Sequence, residues 1–396
     1  MCGIILEKTQ GNYVNASNKN VKEHSFFPVV GIGASAGGLE AFEKLFTGMP
    51  VNSGIAFIIV QHLDPTHESM LVDLLQRYTE IPVSQVEDGE QIEPNHIYVI
   101  PPNHDMALMH GDLHLMEPSA PRGFRLPIDY FFRSLAEDLG ERATCIVLSG
   151  TGSDGSLGIR AIKEVGGMAI AQDPETAKYT GMPQSAIATG VVDLVIPVED
   201  MPDALQHYIE QSLLPNAKGK PSIAKRSGEL LRKVFIILRN HTGHDFSLYK
   251  PNTISRRIER RMTINQIDDL NSYIQYLHEN ALEVETLFKE LLIGVTSFFR
   301  DTEAFESLVE NVITDIIVRH SGSNSSEVER IRVWVTGCST GEEAYSVSML
   351  IHDKMLEMGK HIPVQVFATD IDQDAIEKAR TGVYPDNIVA DVPADF

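Results

Sequence analysis

The sequence predicts an α/β protein: a doubly wound domain with a mostly parallel sheet, an all-α helical bundle, and the opening of a second α/β domain. Three observations carry this expectation. Short runs rich in β-branched residues alternate with helical patterns from residue 28 to about 213, the order that gives a parallel sheet covered on both faces. Residues 228–299 show helical periodicity without a strong strand. Residues 331–372 then return to strand, glycine turn, helix and strand.

Taken in order, residues 1–26 are polar and aperiodic and are expected to form a disordered leader. Cys2-Gly3-Ile4 resembles the N-terminal cysteine nucleophile of glutamine amidotransferases, but no strand follows to support one. The expected strands of the first domain (27–213) are 29–32, 56–60, 97–100, 144–148, 168–171 and 191–196. Helices are expected at 39–46, 70–77, 128–139 and 158–164. Residues 106–116 alternate around His110-Gly111-Asp112, the pattern of a β-hairpin, expected at the sheet edge. Residues 214–228 are rich in Pro, Gly, Lys and Ser and read as a linker. The helical bundle is expected over 229–301 and the second α/β domain over 302–396. In the latter a helix over 301–318 and a polar loop at 321–326 precede strands at 331–335 and 364–368. A doubly wound domain typically needs on the order of 100–150 residues, so this last domain is expected to be truncated.

Bulk properties narrow the class. At 396 residues, 43% hydrophobic and 22% charged, the chain should fold into two or three domains. No run approaches the ~20 apolar residues of a membrane span, and no signal-peptide core is present. Cys2, Cys145 and Cys338 make neither a disulfide framework nor a metal spacing. A cytoplasmic protein without membrane insertion is expected. The net charge of −22 argues against nucleic acid as a partner. Residues 214–301 are nevertheless more basic than acidic, and Arg256, Arg257, Arg260 and Arg261 fall on one helical face without aromatic interleaving. That face is expected to dock an acidic protein partner.

The stretch Gly31-Ile32-Gly33-Ala34-Ser35-Ala36-Gly37 fits two patterns. Gly31, Gly33 and Ala36 match the G-x-G-x-x-G/A dinucleotide fingerprint, and Gly33, Ser35 and Gly37 match the G-x-S-x-G nucleophile elbow. A dinucleotide site wants an acid at the end of the second strand. The chain has Gln61-His62 there, with Asp64 as a displaced acid. The elbow accounts for more residues. Loops at the carboxyl ends of parallel strands meet in one crevice. Ser35 follows the first strand, His62 the second, and the loop from Ser149 to Gly155 brings Asp154 after the strand at 144–148. A serine hydroxyl needs an imidazole to take its proton, and the imidazole needs an acceptor that fixes its tautomer. Gly33 and Gly37 would permit the sharp turn and leave backbone N–H groups facing an oxyanion. Asp64 and Asp129 compete for the acid role, and Asp154 could instead cap the helix near Ser156. His96, His104, His110 and His114 lack a ligand spacing and are expected to be polar loop residues.

Residues 31–38, Gln61-His62, the strand end at 97–102 and residues 148–155 together resemble the chemotaxis protein-glutamate methylesterases, the CheB family. The resemblance spans about 28–202. It implies Ser35 as nucleophile, His62 as general base and Asp154 as orienting acid, acting without a cofactor. The implied substrate is a glutamyl γ-methyl ester on a chemoreceptor helix, hydrolysed to methanol and glutamate; some members also deamidate glutamine. Two departures stand beside the reactive groups: Ala36 where the family usually has threonine, and Thr151 where it usually has methionine. No receiver domain precedes the esterase, so phosphorylation control is not expected from this chain.

Residues 295–301 (V-T-S-F-F-R-D), 337–343 (G-C-S-T-G-E-E) and 367–372 (F-A-T-D-I-D) resemble the chemotaxis receptor methyltransferases, the CheR family. This resemblance runs from about 230 to 396 and implies a Rossmann-like methyltransferase domain that takes S-adenosyl-L-methionine. A glycine loop admits close backbone approach to such a cofactor, and an acid after the second strand can bond its ribose hydroxyls. Asp370 is the expected ribose ligand, with Thr296, Arg300 and Glu343 lining the pocket. The chain is therefore expected to join an esterase to an incomplete methyltransferase. A non-catalytic docking module for receptors or signalling partners and a nucleotide-dependent enzyme that binds NAD(P) remain the alternatives.

Overall fold

The computed structural model describes residues 27–62, 70–118, 125–210, 228–292, 294, 296–321, 330–385, 388, 391–393 and 396. The expected leader and nearly all of the expected linker lie outside these residues. The first domain begins β1 (Val29–Ala34), α1 (Gly38–Gly48), β2 (Ala56–Gln61), α2 (Leu71–Leu75), β3 (Val83–Gln85), β4 (Glu90–Gln91) and β5 (His96–Val99). It continues β6 (Asp105–Met109), β7 (Asp112–Met116), α3 (Pro127–Leu139), β8 (Ala143–Val147) and α4 (Ser156–Glu164). It closes with β9 (Met168–Gln172), α5 (Gly181–Ala188), β10 (Leu194–Ile196) and α6 (Met201–Tyr208).

Among the described residues a seven-stranded sheet forms in the order β10-β9-β8-β1-β2-β5-β3. Every pairing in it is parallel. β1 and β8 are buried along their whole length, as a strand covered on both faces must be. Phe131, Phe132 and Leu135 of α3 and Ile159 and Ile162 of α4 cover one face. Phe42, Leu45 and Phe46 of α1 and Leu205 of α6 cover the other. The apolar positions of α3 recur at 128, 131, 132, 135 and 136, so its buried stripe follows the helical period. The strand order turns at β1, which pairs with β2 on one side and β8 on the other. That switch point opens a crevice past the carboxyl ends of β1, β2 and β8.

The hairpin β6–β7 forms around His110-Gly111 but is not at the edge of the main sheet. It pairs with β4 in a separate three-stranded antiparallel sheet. The reason is its packing: Met106, Leu108 and Leu113 are buried in the cluster built on α3. Asp138 and Ser134 of α3 also accept from the hairpin's backbone at His110 (2.6 Å) and Leu108 (3.0 Å).

The helical part comprises α7 (Gly228–Thr242), α8 (Pro251–Ile264), α9 (Leu270–Glu279) and α10 (Ala281–Leu291) around Val234, Leu238, Phe246, Ile258, Tyr273 and Leu287. α11 (Thr302–Leu308) continues through a π turn at Val309–Ile313 into α12 (Thr314–Ser321). The Thr314 hydroxyl bonds the Val309 carbonyl across that turn at 2.8 Å. β11 (Ile331–Thr336), α13 (Glu342–Glu357), β12 (Val364–Thr369) and α14 (Gln373–Thr381) follow, with β11 and β12 parallel.

The arginine run is a correction. It sits on α8 as expected, but the helix turns that face inward. Arg260 and Arg261 are buried, at 9% and 6% exposure. Arg260 pairs with Asp193 of the first domain and donates to Gly166 O at 2.9 Å. Lys163 lies 2.6 Å from the same Asp193, and Glu290 lies 3.4 Å from Arg260. The result is a buried quartet of two cations and two anions between the first domain and the bundle. Burial pushes the Asp193 carboxyl up, but Arg260 and Lys163 outweigh it and leave it below its ordinary range. Arg261 makes a two-pronged bond with Glu283 at 2.9 and 2.6 Å. Arg257 donates to the last carbonyls of α10, Glu290 O (2.6 Å) and Leu291 O (2.8 Å). Only Arg256 stays exposed, paired with Glu141. With Arg260 and Arg261 buried and Arg257 spent on the carbonyls of α10, the run does not form the open cationic face expected.

Removing one member of a buried ion cluster leaves the others uncompensated. Arg260→Ala is expected to destabilise the chain by about 3–5 kcal/mol, against less than about 0.5 kcal/mol for Arg256→Ala. Urea unfolding of both variants beside the parent chain measures this, and equal midpoints would return Arg260 to the surface.

Candidate active site

Ser35 follows β1 directly, where the chain turns into α1. Its N–H donates to Ser149 O at 3.1 Å, and its carbonyl accepts from Gly38 N at 3.0 Å and Gln61 Nε2 at 3.3 Å. The turn needs a positive φ at Gly37, 78°, and a Cβ there would come within 2.7 Å of Ser149 Oγ. Gly33 has a different part from the one expected. It lies inside β1, and a Cβ on it would stand 2.5 Å from Ile128 Cγ2. A Cβ on Gly31 would meet Leu135 and Phe131 at 3.0 Å. Both glycines let α3 lie directly on β1, so their open faces are filled by a helix and not by a pyrophosphate. Asp64, the acid of the dinucleotide reading, lies outside the described residues.

His62 stands just past β2. Its Nδ1 is 3.4 Å from Ser35 Oγ and its Nε2 is 2.7 Å from Asp154 Oδ2. Asp154 is buried, at 3% exposure. Its Oδ2 also accepts from Ile128 N at 3.0 Å, and its Oδ1 accepts from Asp129 N and Gly155 N, both at 2.9 Å. Ile128 and Asp129 belong to the first turn of α3, where unpaired N–H groups and the positive end of the helix dipole lie. Asp154 therefore caps α3, not the following helix α4. Its carboxylate accepts a hydrogen bond from the Nε2–H of the imidazole, which leaves Nδ1 as the acceptor facing Ser35. The arrangement can withdraw the serine proton and stabilise the resulting imidazolium.

The competing groups are held elsewhere. Asp129 is buried and its Oδ1 accepts from Gly158 N at 2.6 Å, tying α3 to α4. His96 opens β5 rather than a loop, bonds the Ser84 hydroxyl at 2.8 Å and stacks on Tyr98; burial lowers its pKa. His104 bonds Pro102 O at 2.9 Å, and His114 lies within β7 rather than a loop, 3.8 Å from Asp88. Of the two departures, Ala36 lies in the turn directly after Ser35, and Thr151 lies in an exposed bend after β8. Ser149 and Gln172 were not singled out from sequence. Ser149 N donates to Gln172 Oε1 at 2.8 Å, and the Ser149 hydroxyl meets the nucleophile turn. The polar residue closing an apolar strand was their one visible signal.

A second site lies between the bundle and the β11–β12 sheet. Thr296, Arg300, Glu343 and Asp370 line one cavity of about 1080 Å³ together with Gly337 and Ser339. Gly337 has a φ of 69° and open space where a Cβ would stand. Asp370 follows β12 and accepts from Ser339 N at 2.7 Å and Asp372 N at 2.8 Å. Those two bonds leave further acceptor positions on the carboxylate. Helix α4 of the first domain reaches this site: Glu164 pairs with Arg300, and Arg160 lies 3.2 Å from Glu342.

Three protein-family models match successive parts of the chain. Residues 30–205 match the CheB methylesterase family. Residues 229–292 match the all-alpha domain of CheR methyltransferase, and residues 294–396 its SAM-binding domain. An uncharacterized 104.1 kDa protein from the hypE 3′ region of Rhodobacter capsulatus is 38% identical over 346 residues, covering 82% of this chain and 36% of that protein. A putative protein-glutamate methylesterase/protein-glutamine glutaminase of Leptospira interrogans is 32% identical over 190 residues, covering 47% of this chain and 98% of the relative. The crystal structure of the Thermotoga maritima CheB methylesterase catalytic domain aligns with a TM-score of 0.43 at 29% identity, covering 46% of this chain and 97% of that one. The chain spans about a third of the Rhodobacter protein and about half the length of several other curated methylesterase relatives. Through its first domain the chain belongs to the CheB methylesterase family, and it continues into the all-alpha and SAM-binding domains of CheR methyltransferases.

Proposed function

We propose that the first domain is a protein-glutamate methylesterase that hydrolyses glutamyl γ-methyl esters on chemoreceptors, in the cytoplasm and without a cofactor. The observation that supports this reading best is the continuous line from Ser35 through His62 to a fully bonded Asp154. Ser35 Oγ attacks the ester carbonyl carbon while His62 Nδ1 takes its proton. The 3.4 Å separation is the loose spacing common before substrate binds. The tetrahedral oxyanion collapses, methanol leaves with the proton from His62, and water activated by the same imidazole releases the glutamate. Attack on a glutamine side chain by the same route would release ammonia. The N–H groups at Ala36 and Gly37, in the turn that leads into α1, suit the oxyanion. Because those donors are backbone, alanine in place of threonine at position 36 keeps them.

In the second site, Asp370 would bond the ribose of S-adenosyl-L-methionine, with Thr296, Arg300 and Glu343 around the rest of the molecule. The open face of Gly337 and the free acceptor positions of Asp370 fit such a ligand. When bound, the cofactor supplies an electrophilic methyl group for a carboxylate acceptor. The receptor is proposed as the partner of both parts, without the arginine face of α8. Among the described residues no helix is long and apolar enough to cross a membrane.

Methanol release from methylated chemoreceptor membranes tests the esterase. Ser35→Ala and His62→Ala are each expected to lower the rate by about 10³-fold or more, and Asp154→Asn by about 10²–10⁴-fold. Equal release by parent and variants would move the chemistry to other residues. For the second site, calorimetry with S-adenosyl-L-methionine should show binding weakened about 10- to 100-fold by Asp370→Ala, the loss of hydrogen bonds to a charged group. Undiminished affinity would remove Asp370 from the ribose.

A further inference from the structure

The structure assigns Ser149 as the positioning residue that aims the Gly37 N–H at the oxyanion; this rests on the esterase reading above. Ser149 is buried, at 1% exposure, at the carboxyl end of β8, and each of its polar groups has a partner. Its N–H donates to Gln172 Oε1 at 2.8 Å, and its carbonyl accepts from Ser35 N at 3.1 Å. Its hydroxyl oxygen accepts from Tyr179 N at 3.0 Å. The hydroxyl proton then has two carbonyls in reach, Ala36 O at 3.0 Å and Tyr179 O at 3.4 Å. The shorter contact directs it to Ala36, and the donation from Tyr179 polarises it further.

The carbonyl of Ala36 and the N–H of Gly37 belong to one peptide unit. That unit is trans, since the described residues contain no cis peptide. In a planar trans peptide the C=O and N–H vectors point in opposite directions. By drawing the Ala36 carbonyl inward, Ser149 turns the Gly37 N–H outward, away from the β8 side of the turn. That N–H makes no hydrogen bond among the described residues. Two further features hold the geometry. The left-handed φ of Gly37 is required for the peptide to face this way. The space above Gly37 Cα is filled by Ser149 Oγ itself, so the turn has no room to relax towards it. The same residue anchors Ser35 through its backbone carbonyl, and so nucleophile and oxyanion donor are referenced to one buried residue.

A residue acting this way should affect the transition state and leave substrate binding alone. With a small activated ester such as p-nitrophenyl acetate, Ser149→Ala is expected to lower kcat by about 10- to 100-fold, somewhat below the loss of an oxyanion donor itself. KM should change by less than about twofold, since the ground-state carbonyl does not use the donor. Affinity for a boronic acid, which forms a tetrahedral adduct on the serine, should fall by about the same factor as kcat. Ser149→Thr, which keeps the hydroxyl, should restore both. Should Ser149→Ala fail to fold, Ser149→Cys carries the test, with a weaker donor and an expected kcat at least about tenfold below the parent. Unchanged kcat in a folded variant overturns the assignment, and so does a lowered kcat with undiminished boronate affinity. Hydrolysis that survives Ser35→Ala overturns the esterase reading itself; Ser35-dependent hydrolysis indifferent to Ser149 overturns this assignment alone.

Discussion

A carboxylate offers about four acceptor positions, and on Asp154 all four are taken: by His62 Nε2 and by the N–H groups of Ile128, Asp129 and Gly155. Three of those partners are backbone, so the anion cannot rotate without losing bonds inside a buried pocket. Its fixed direction sets the imidazole, and the imidazole reaches Ser35. Two of the donors belong to the start of α3, which makes the position of that helix the condition for the site. α3 can sit so close because Gly31 and Gly33 offer no side chain between it and β1. The doubled glycine motif is thus explained by packing: its first two glycines seat a helix, the helix holds an acid, and the third, Gly37, makes the turn.

The same economy of contacts appears between the modules. Lys163, Asp193, Arg260 and Glu290 form a balanced quartet where the bundle meets the first domain. Such a cluster adds little stability over an apolar contact, but each member requires the others. Beside it, α4 begins two residues after Asp154 and ends at Glu164, which pairs with Arg300 on the second cavity. One helix therefore borders the serine site at its first turn and the proposed cofactor site at its last.

Much of this was legible in the sequence, and the limits have physical causes. The strands at β1, β2, β5, β8 and β9 were visible because strands buried on both faces are continuous apolar runs. β3 and β4 were missed because they are only three and two residues long. α5 was missed because Gly181 and Pro183 open it. Ser35, His62 and Asp154 could be found together because a parallel sheet gathers its carboxyl-end loops at one switch point. The arginine run misled because spacing shows which residues share a helical face, not whether the face meets solvent. Asp193 and Glu290, which bury it, lie 67 and 30 residues from Arg260. The backbone donors to Asp154 leave no mark in side-chain identity at all.

The central claim is that a single hydroxyl, Ser35, is made nucleophilic by His62 held from Asp154. Treating the chain with a fluorophosphonate and mapping the adduct by peptide mass spectrometry tests it directly. The account predicts one labelled residue, Ser35, with labelling lost in His62→Ala. Labelling at another serine, or at Ser35 with equal speed in the absence of the imidazole, would contradict it.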